Sequence, residues 1–247
     1  MQRLLVHPTP KTDESIQSYL KRLSSQHGVT KLDRFLEMLM PSCRGKILEV
    51  TPEMLRKVPG IRESHVKGLR LIKDASTEQP SYHYGKVALP SYHMLRKRWF
   101  CPDCLNEDHI YRASWQVAWL PLCTRHGRAL MEEGAKELDI PEHMLAANDN
   151  IRSEFIETQL ILEDRLERDT AVAPESQSVV QEVDRYLRRS LPKRAVNQLD
   201  DRQRQYSRRF FPLRGVDRWR FFECLQTQMI GVGSTSHALA CPSNTLF

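Results

Sequence analysis

The sequence predicts a mainly α-helical protein in three regions: an N-terminal helical domain with a helix-turn-helix, a central zinc-binding unit like a zinc ribbon, and a C-terminal helical domain. Three observations support this fold class. Apolar residues recur at helical spacing, two pairs of metal-ligand residue types lie close together in the middle of the chain, and the charge changes sign after them. We place the regions at residues 1–85, 86–131 and 132–247 and expect a loose tail at the end.

Composition limits the class of protein before any motif is considered. The chain has 247 residues, of which 40% are hydrophobic and 28% charged, and a net charge of +6. These values are ordinary for a globular protein and exclude collagen-like, mucin-like and largely disordered chains. No apolar run approaches the roughly 20 residues that cross a bilayer, and the opening lacks the features of a secretory signal. We therefore expect a cytoplasmic protein without a membrane partner.

Two short helices are expected near the beginning of the chain. Residues 12–28 place four apolar side chains on one helical face, and Gly28 is suited to end that helix. Residues 31–39 repeat the pattern and stop before Pro41, which cannot continue a helix. The apolar positions of the two helices are Ile16, Tyr19, Leu20, Leu23, Leu32, Phe35, Leu36 and Leu39.

A helix-turn-helix is predicted at about residues 51–73. Thr51 is a good N-cap, Pro52 fits the first helical turn, and Pro59-Gly60 breaks the helix. The apolar residues of the second helix are expected to be Ile61, Val66, Leu69 and Ile72.

This helix pair offers a candidate nucleic-acid site. A second helix in a major groove would present Arg62, His65, Lys67 and Arg70 to phosphates or base edges. Arg96, Lys97 and Arg98, just before the zinc unit, extend the basic strip. Two alternatives remain open: the helices are an ordinary helical core pair, or the Pro-Gly turn belongs to a helix-hairpin-helix whose backbone amides hold phosphate.

The strongest signal is two closely spaced pairs of residues that can bind a metal ion. Cys101 and Cys104 are separated by two residues, eighteen residues follow, and Cys123 and His126 repeat the two-residue gap. Such a gap lets both side chains of a pair face one ion, and three thiolates with one imidazole complete a tetrahedral Zn²⁺ shell. We predict a structural zinc ion with no open coordination position, and a hairpin that returns the second pair to the first.

Alternatives to this ligand set are unrelated buried thiols, or His109 in place of His126 as the fourth ligand. The remaining cysteines, Cys43, Cys224 and Cys241, have no comparable neighbours and are expected to be free or buried thiols.

The C-terminal region changes from acidic to basic. Residues 132–169 carry twelve Asp and Glu against four Lys and Arg, with a helical pattern at 151–168. Residues 185–220 carry twelve basic residues interleaved with aromatics. Arginine beside exposed aromatics suits RNA, DNA or an acidic protein surface, although helical core spacing also accounts for several of the rings. The candidate partner-binding residues are Arg208, Arg209, Phe210 and Trp219.

Enzyme motifs are missing from the sequence. It has no GxxxxGK[ST], no GxSxG and no HExxH, and its acidic residues form no recognisable paired-metal centre. A zinc-dependent nuclease is disfavoured because all four ligands are committed, which leaves no position to activate water. We assign no catalytic residue and expect that the protein is not an enzyme.

Three motifs, in order, resemble the TniQ family of transposition target selectors. They are the opening helix DESIQSYLKRLSSQHG, the helix-turn-helix MLRKVPGIRESHVKGLRL and the zinc unit RWFCPDCLNEDHIYRASWQVAWLPLCTRHGRAL, which together span about residues 8–131. The resemblance implies a non-catalytic adaptor of a Tn7-like transposon. Such an adaptor marks an insertion site and recruits an AAA+ ATPase, which in turn recruits the transposase.

The resemblance also implies partners. Some family members read an attachment sequence in DNA themselves, whereas short members dock, commonly as a dimer, on an RNA-guided CRISPR effector such as Cascade. Because only about 115 residues follow the zinc unit, we expect the CRISPR-associated kind, with Cascade, its guide RNA, target DNA and the ATPase as partners. The alternative is a stand-alone sequence-specific DNA-binding protein, either an attachment-site reader or a helix-turn-helix transcription regulator.

Overall fold

The structure, a computed structural model, shows a mainly helical chain with short strands, as the sequence predicts. It divides into two compact units, residues 1–91 with 104–114 and residues 92–103 with 115–247. The three-region division at 85/86 and 131/132 remains a prediction. The residues that the structure describes are 7–43, 50–73, 81–84, 87–95, 97–135, 140–145, 151–168, 179–190 and 216–229.

The helices of the described chain are α1 Ile16–Gln26, α2 Leu32–Leu39, α3 Pro52–Arg56, α4 Glu63–Gly68, α5 Pro102–Asp108, α6 Ser153–Arg168, α7 Val179–Ser190 and α8 Val216–Met229. The strands are β1 Ile72–Lys73, β2 Ser81–Tyr84, β3 Val87–Pro90, β4 Trp99–Phe100, β5 Leu122–Cys123, β6 Arg128–Ala129 and β7 Met131–Glu132. Within the described ranges, none of the helices has both the length and the apolar character needed to span a membrane.

The first two helices form as the sequence predicts. Ser15 caps α1, its Oγ accepting a hydrogen bond from the Ser18 amide, and α1 ends just before Gly28, whose φ of 70° suits glycine. The apolar faces of α1 and α2 are buried in one core together with Leu55, Val58 and Val66 of the helix-turn-helix segment. Burial of this shared apolar surface is the main term that stabilises the first unit.

The helix-turn-helix is present but shorter than expected. Thr51 Oγ1 accepts from the Met54 amide at 3.3 Å, so α3 begins as predicted. The second helix, α4, ends at Gly68, whereas the sequence pattern suggested a helix reaching Ile72. Leu71 has a φ of 59°, which lies outside the right-handed helical region, and Ile72 then pairs with His83 in a three-stranded antiparallel sheet of order β1-β2-β3.

A carboxylate network fixes the chain just before α1. Asp13 has a φ of 57°, a left-handed conformation that aspartate tolerates better than most residues. Its carboxylate accepts hydrogen bonds from the Ser114 hydroxyl at 2.5 Å, the Ser114 amide at 3.3 Å and the Tyr84 hydroxyl at 2.8 Å. Desolvation raises the pKa of Asp13 despite these bonds. The network ties the start of α1 to two distant parts of the same unit.

The second unit combines short strand pairs with the three C-terminal helices. Strand β4 pairs with β7 and β5 with β6, both antiparallel. Helix α6 covers the predicted helical pattern at 151–168, packs against α7, and is joined to it by an ion pair between Arg165 and Glu182 at 2.9 Å. Helix α7 packs in turn against α8.

Cys224, in α8, is disulfide-bonded in the structure, so the expectation of a free or buried thiol is wrong for this residue. The spacing of cysteines along the sequence does not predict this disulfide bond, because tertiary structure decides which cysteines come together. The side chain of Cys43 and all of Cys241, like the predicted tail, lie outside the described part of the chain.

A polar cluster links α7 to the segment before β4. His93 is fully buried, and its Nδ1 accepts from the Trp119 indole N–H at 3.2 Å, while its Nε2 lies 3.6 Å from Asp184 of α7. Burial lowers the pKa of His93. Burial works to raise the pKa of Asp184, but the nearby His93 ring and hydrogen bonds from Tyr92 and Arg188 outweigh it and lower that pKa.

Candidate metal centre

The second ligand pair lies on the tight turn between β5 and β6. Cys123 is the last residue of β5, and the chain turns through His126 and Gly127 before β6 begins at Arg128. Gly127 has a φ of 58°, which allows the chain to reverse within a few residues. This turn brings the Cys123 thiol and the His126 ring to the same point.

The first ligand pair lies where β4 meets α5. Cys101 directly follows β4, and Cys104 is in the first turn of α5, so both thiols lie at the N-terminal end of that helix. The hairpin expected between the two pairs is wrong. The eighteen intervening residues instead hold most of α5 and a 3-10 turn at Ser114–Gln116, because any compact connection of that length can return the second pair.

The structure brings the four predicted ligands together. One ligand atom from each of Cys101, Cys104, Cys123 and His126 lies within 4.8 Å of the others, and the three thiols are buried. The His126 Nδ1 is 3.6 Å from the Cys101 sulfur and 3.7 Å from the Cys123 sulfur. Zn–S and Zn–N bonds of about 2.3 and 2.0 Å at a tetrahedral angle place S and N about 3.5 Å apart. The cluster could therefore bind a metal ion.

His109, the alternative fourth ligand, is not part of this cluster. It is exposed just after the end of α5, with a φ of 53°. His126 is the histidine that lies with the three thiols.

Two arginines, each paired with a carboxylate, lie beside the cluster. Arg112 interacts electrostatically with Cys104 and donates to Asp108 at 2.8 Å, and Arg128 donates to Asp103 at 2.8 Å. The bond from Arg128 lowers the pKa of Asp103. Three thiolates and one divalent ion carry a net charge of −1. The positive charge of Arg112 beside Cys104 would offset this remaining negative charge. No sequence pattern singles out Arg112.

A buried glutamine of α6 holds the strand that carries Cys123. Gln159 Oε1 accepts from the Leu122 amide at 2.6 Å, and Gln159 Nε2 donates to the Leu122 carbonyl oxygen. Gln159 is fully buried, and Thr124 in the turn donates to Glu163 one helical turn further on. The side-chain amide thus pairs with the strand backbone as a neighbouring strand would. Sequence reasoning missed this contact.

The candidate nucleic-acid residues fall into different environments. In the first unit, Arg62 and Lys67 are exposed on α4, whereas His65 is only 7% exposed and its Nδ1 accepts from the Arg62 amide. Burial also lowers the pKa of His65, and its side chain is not part of the solvent-facing surface of α4. Arg70 donates to the Lys67 and Gly68 carbonyl oxygens and lies over the Tyr84 ring.

In the second unit, Lys97 forms an ion pair with Glu132, and Arg98 forms one with Glu133 at 3.7 Å. Arg96 lies outside the described residues.

The candidate partner-binding residues are mostly outside the described chain. Arg208, Arg209 and Phe210 belong to the segment that the structure leaves undescribed, and their role stays a prediction. Trp219, in α8, is 2% exposed and packs edge-on against Phe222. This placement fits the alternative interpretation of its aromatic pattern as helical core.

The chain is mainly helical, and its Cys3His cluster lies beside short strands. Its class is therefore that of a helical protein with a candidate structural metal centre. The TniQ family model matches residues 5–130, about half of the chain. The chain therefore belongs to the TniQ family. A search of the curated proteins found no match.

Proposed function

We propose that Cys101, Cys104, Cys123 and His126 bind one structural Zn²⁺ ion. The observation that carries the proposal is the convergence of their four ligand atoms within 4.8 Å of one another, with His126 Nδ1 at 3.6 and 3.7 Å from the Cys101 and Cys123 sulfurs, close to the separation in a tetrahedral zinc shell. Four protein ligands leave no coordination site for a substrate or a reactive water, so the ion's contribution is to folding and not to chemistry. The ion would hold the β5–β6 turn and the start of α5 together.

The protein's function, on this proposal, is that of a non-catalytic target-selection adaptor in transposition by a Tn7-like element. Membership of the TniQ family carries this proposal. The adaptor would link a target-bound complex, an RNA-guided effector of the Cascade type on its target DNA, to an AAA+ ATPase that regulates the transposase. It would act as a homodimer, with the three regions 1–85, 86–131 and 132–247 as its functional parts.

Copurification tests the adaptor function. The tagged full chain is mixed separately with a guide-loaded Cascade-type complex on target DNA and with an AAA+ ATPase of a Tn7-like element. Retention of both partners is expected, and retention of neither would reject the proposal. Cys101→Ser tests whether the ion is needed, and His109→Ser is the matched control because His109 is exposed and outside the cluster.

A second candidate function is direct, sequence-specific binding of duplex DNA. It is favoured by the exposed cations Arg62 and Lys67, which lie on the second helix of the helix-turn-helix. The isolated protein would then bind one duplex site tightly, with an affinity that falls steeply as salt rises. Arg62→Ala with Lys67→Ala would abolish that binding, whereas a pure adaptor would show no site preference without its effector.

A further inference from the structure

Helix α6 has one buried and one exposed face. The buried face holds Phe155, Gln159, Leu162 and Leu166, and it faces β5 and α7. The exposed residues recur at three- and four-residue spacing and form one continuous stripe along the helix. The stripe, called here the α6 stripe, consists of Ser153, Glu154, Glu157, Leu160, Ile161, Asp164, Glu167 and Arg168.

The α6 stripe is acidic in a chain that is basic as a whole. It carries four carboxylates and one guanidinium, a sum of −3, whereas the whole chain has a net charge of +6. The single arginine of the stripe, Arg168, forms an ion pair with Asp164, and the exposed Arg152 just before the helix lies 4.0 Å from Glu154. With Arg152 included, the exposed surface still carries a sum of −2. The field above the stripe is therefore negative, which attracts cationic groups and repels phosphates.

Two large apolar side chains lie in the middle of this acidic stripe. Leu160 is 48% exposed and Ile161 is 39% exposed, and among the described residues only Met38, in the other unit, is a further large hydrophobic with comparable exposure. Glu157 and Asp164 lie one turn before and one turn after the apolar pair. An apolar centre with a charged rim is the usual composition of a protein interface.

We propose that the α6 stripe is a docking surface for a basic amphipathic helix of a partner protein. The partner's apolar side chains cover Leu160 and Ile161, and its lysine and arginine residues pair with Glu157 beside them. Nucleic acid does not fit this surface, because phosphates would meet carboxylates. A second copy of the chain in a two-fold contact would bring two identical acidic stripes together, which like-charge repulsion disfavours.

The contact between α6 and the strand β5 keeps the stripe in place. Gln159 and Glu163 hold the buried side of the helix to Leu122 and Thr124, so the exposed side has a fixed orientation within its own unit. A rigid helix face loses little entropy on binding, which favours recognition of another preformed helix.

Two synthetic helical peptides test the proposal on the full-length protein. One carries leucines along one face flanked by lysine and arginine, and the other has glutamate at every basic position. We expect fluorescence anisotropy to show binding of the basic peptide alone. Leu160→Ser with Ile161→Ser should weaken that binding at least tenfold, and Glu157→Lys should weaken it several-fold and reduce its salt dependence.

The matched controls lie on α2 in the other unit, where Glu37 and Met38 form a similar exposed acidic and apolar pair. Glu37→Lys and Met38→Ser should leave the affinity for the basic peptide within a factor of two. Circular dichroism should show the same helix content in every variant, because all these side chains are exposed.

Several results would overturn the proposal. They are no binding of the basic peptide, equal binding of both peptides, or binding that survives the Leu160→Ser and Ile161→Ser changes. Sedimentation showing a dimer that these two changes dissociate would also overturn it, because the occupant would then be a second copy of the chain. None of these results bears on copurification with the transposition partners. The docking proposal can therefore be rejected without rejecting the adaptor function, and the adaptor function can be rejected without rejecting the docking proposal.

Discussion

Replacing Gln159 with alanine should destabilise the unit that carries most of the metal ligands. The change removes both hydrogen bonds to Leu122 and leaves a buried amide N–H and carbonyl without partners. Each buried group left unsatisfied costs about 1–3 kcal/mol, and a small cavity adds to this. We therefore expect Gln159→Ala to lower the free energy of unfolding by about 2–5 kcal/mol.

Urea denaturation of the zinc-loaded protein measures this loss, with tryptophan fluorescence as the signal because Trp115 and Trp119 are buried in the same unit. Glu157→Ala is the control: it lies on the exposed face of the same helix and should change the free energy by no more than about 0.5 kcal/mol. A Gln159→Ala midpoint equal to that of the control would refute the claim that the glutamine clamps β5. Faster zinc release to a chelator is the second expected result, because β5 ends in Cys123.

Three further predictions concern the buried polar groups and the metal. Asp13→Ala should cost about 3 kcal/mol or more in urea denaturation, because it removes three hydrogen bonds and leaves alanine at a positive φ; a loss below 1 kcal/mol would contradict this. Cys101→Ser should lower the melting temperature and make it insensitive to EDTA, whereas His109→Ser should melt like the wild type. The pKa of His93 is lowered in the folded protein, so below about pH 6.5 the unfolded chain binds a proton that the folded chain does not. The free energy of unfolding should therefore fall from pH 7 to pH 5. His93→Gln should make this fall with pH smaller, because the metal site titrates in the same way in the variant and the wild type.

Local patterns predicted the local elements well. The apolar spacing in α1, α2 and α6, the cap at Thr51 and the stop at Gly28 act over a few residues, and the structure confirms them. The two-residue ligand gaps are equally local, since each pair needs only one turn to bring its side chains together.

The sequence failed where distant parts of the chain decide the outcome. Leu69 and Ile72 continue a helical apolar period, yet Leu71 has a positive φ and Ile72 lies in a strand that pairs with His83. Gln159 looks like a polar interruption of an apolar face until Leu122, 37 residues away, is placed beside it. Such contacts are set by tertiary packing, which periodicity does not encode.

The number of zinc ions per chain tests the central claim most directly. Elemental mass spectrometry of the purified full-length protein should give one zinc per wild-type chain and close to none for the double variant Cys104→Ser with Cys123→Ser, while His109→Ser keeps its zinc. A wild-type protein that stays free of zinc after equilibration with a small excess of the metal, or a double variant that keeps a full equivalent, would contradict the claim that these side chains form the metal site.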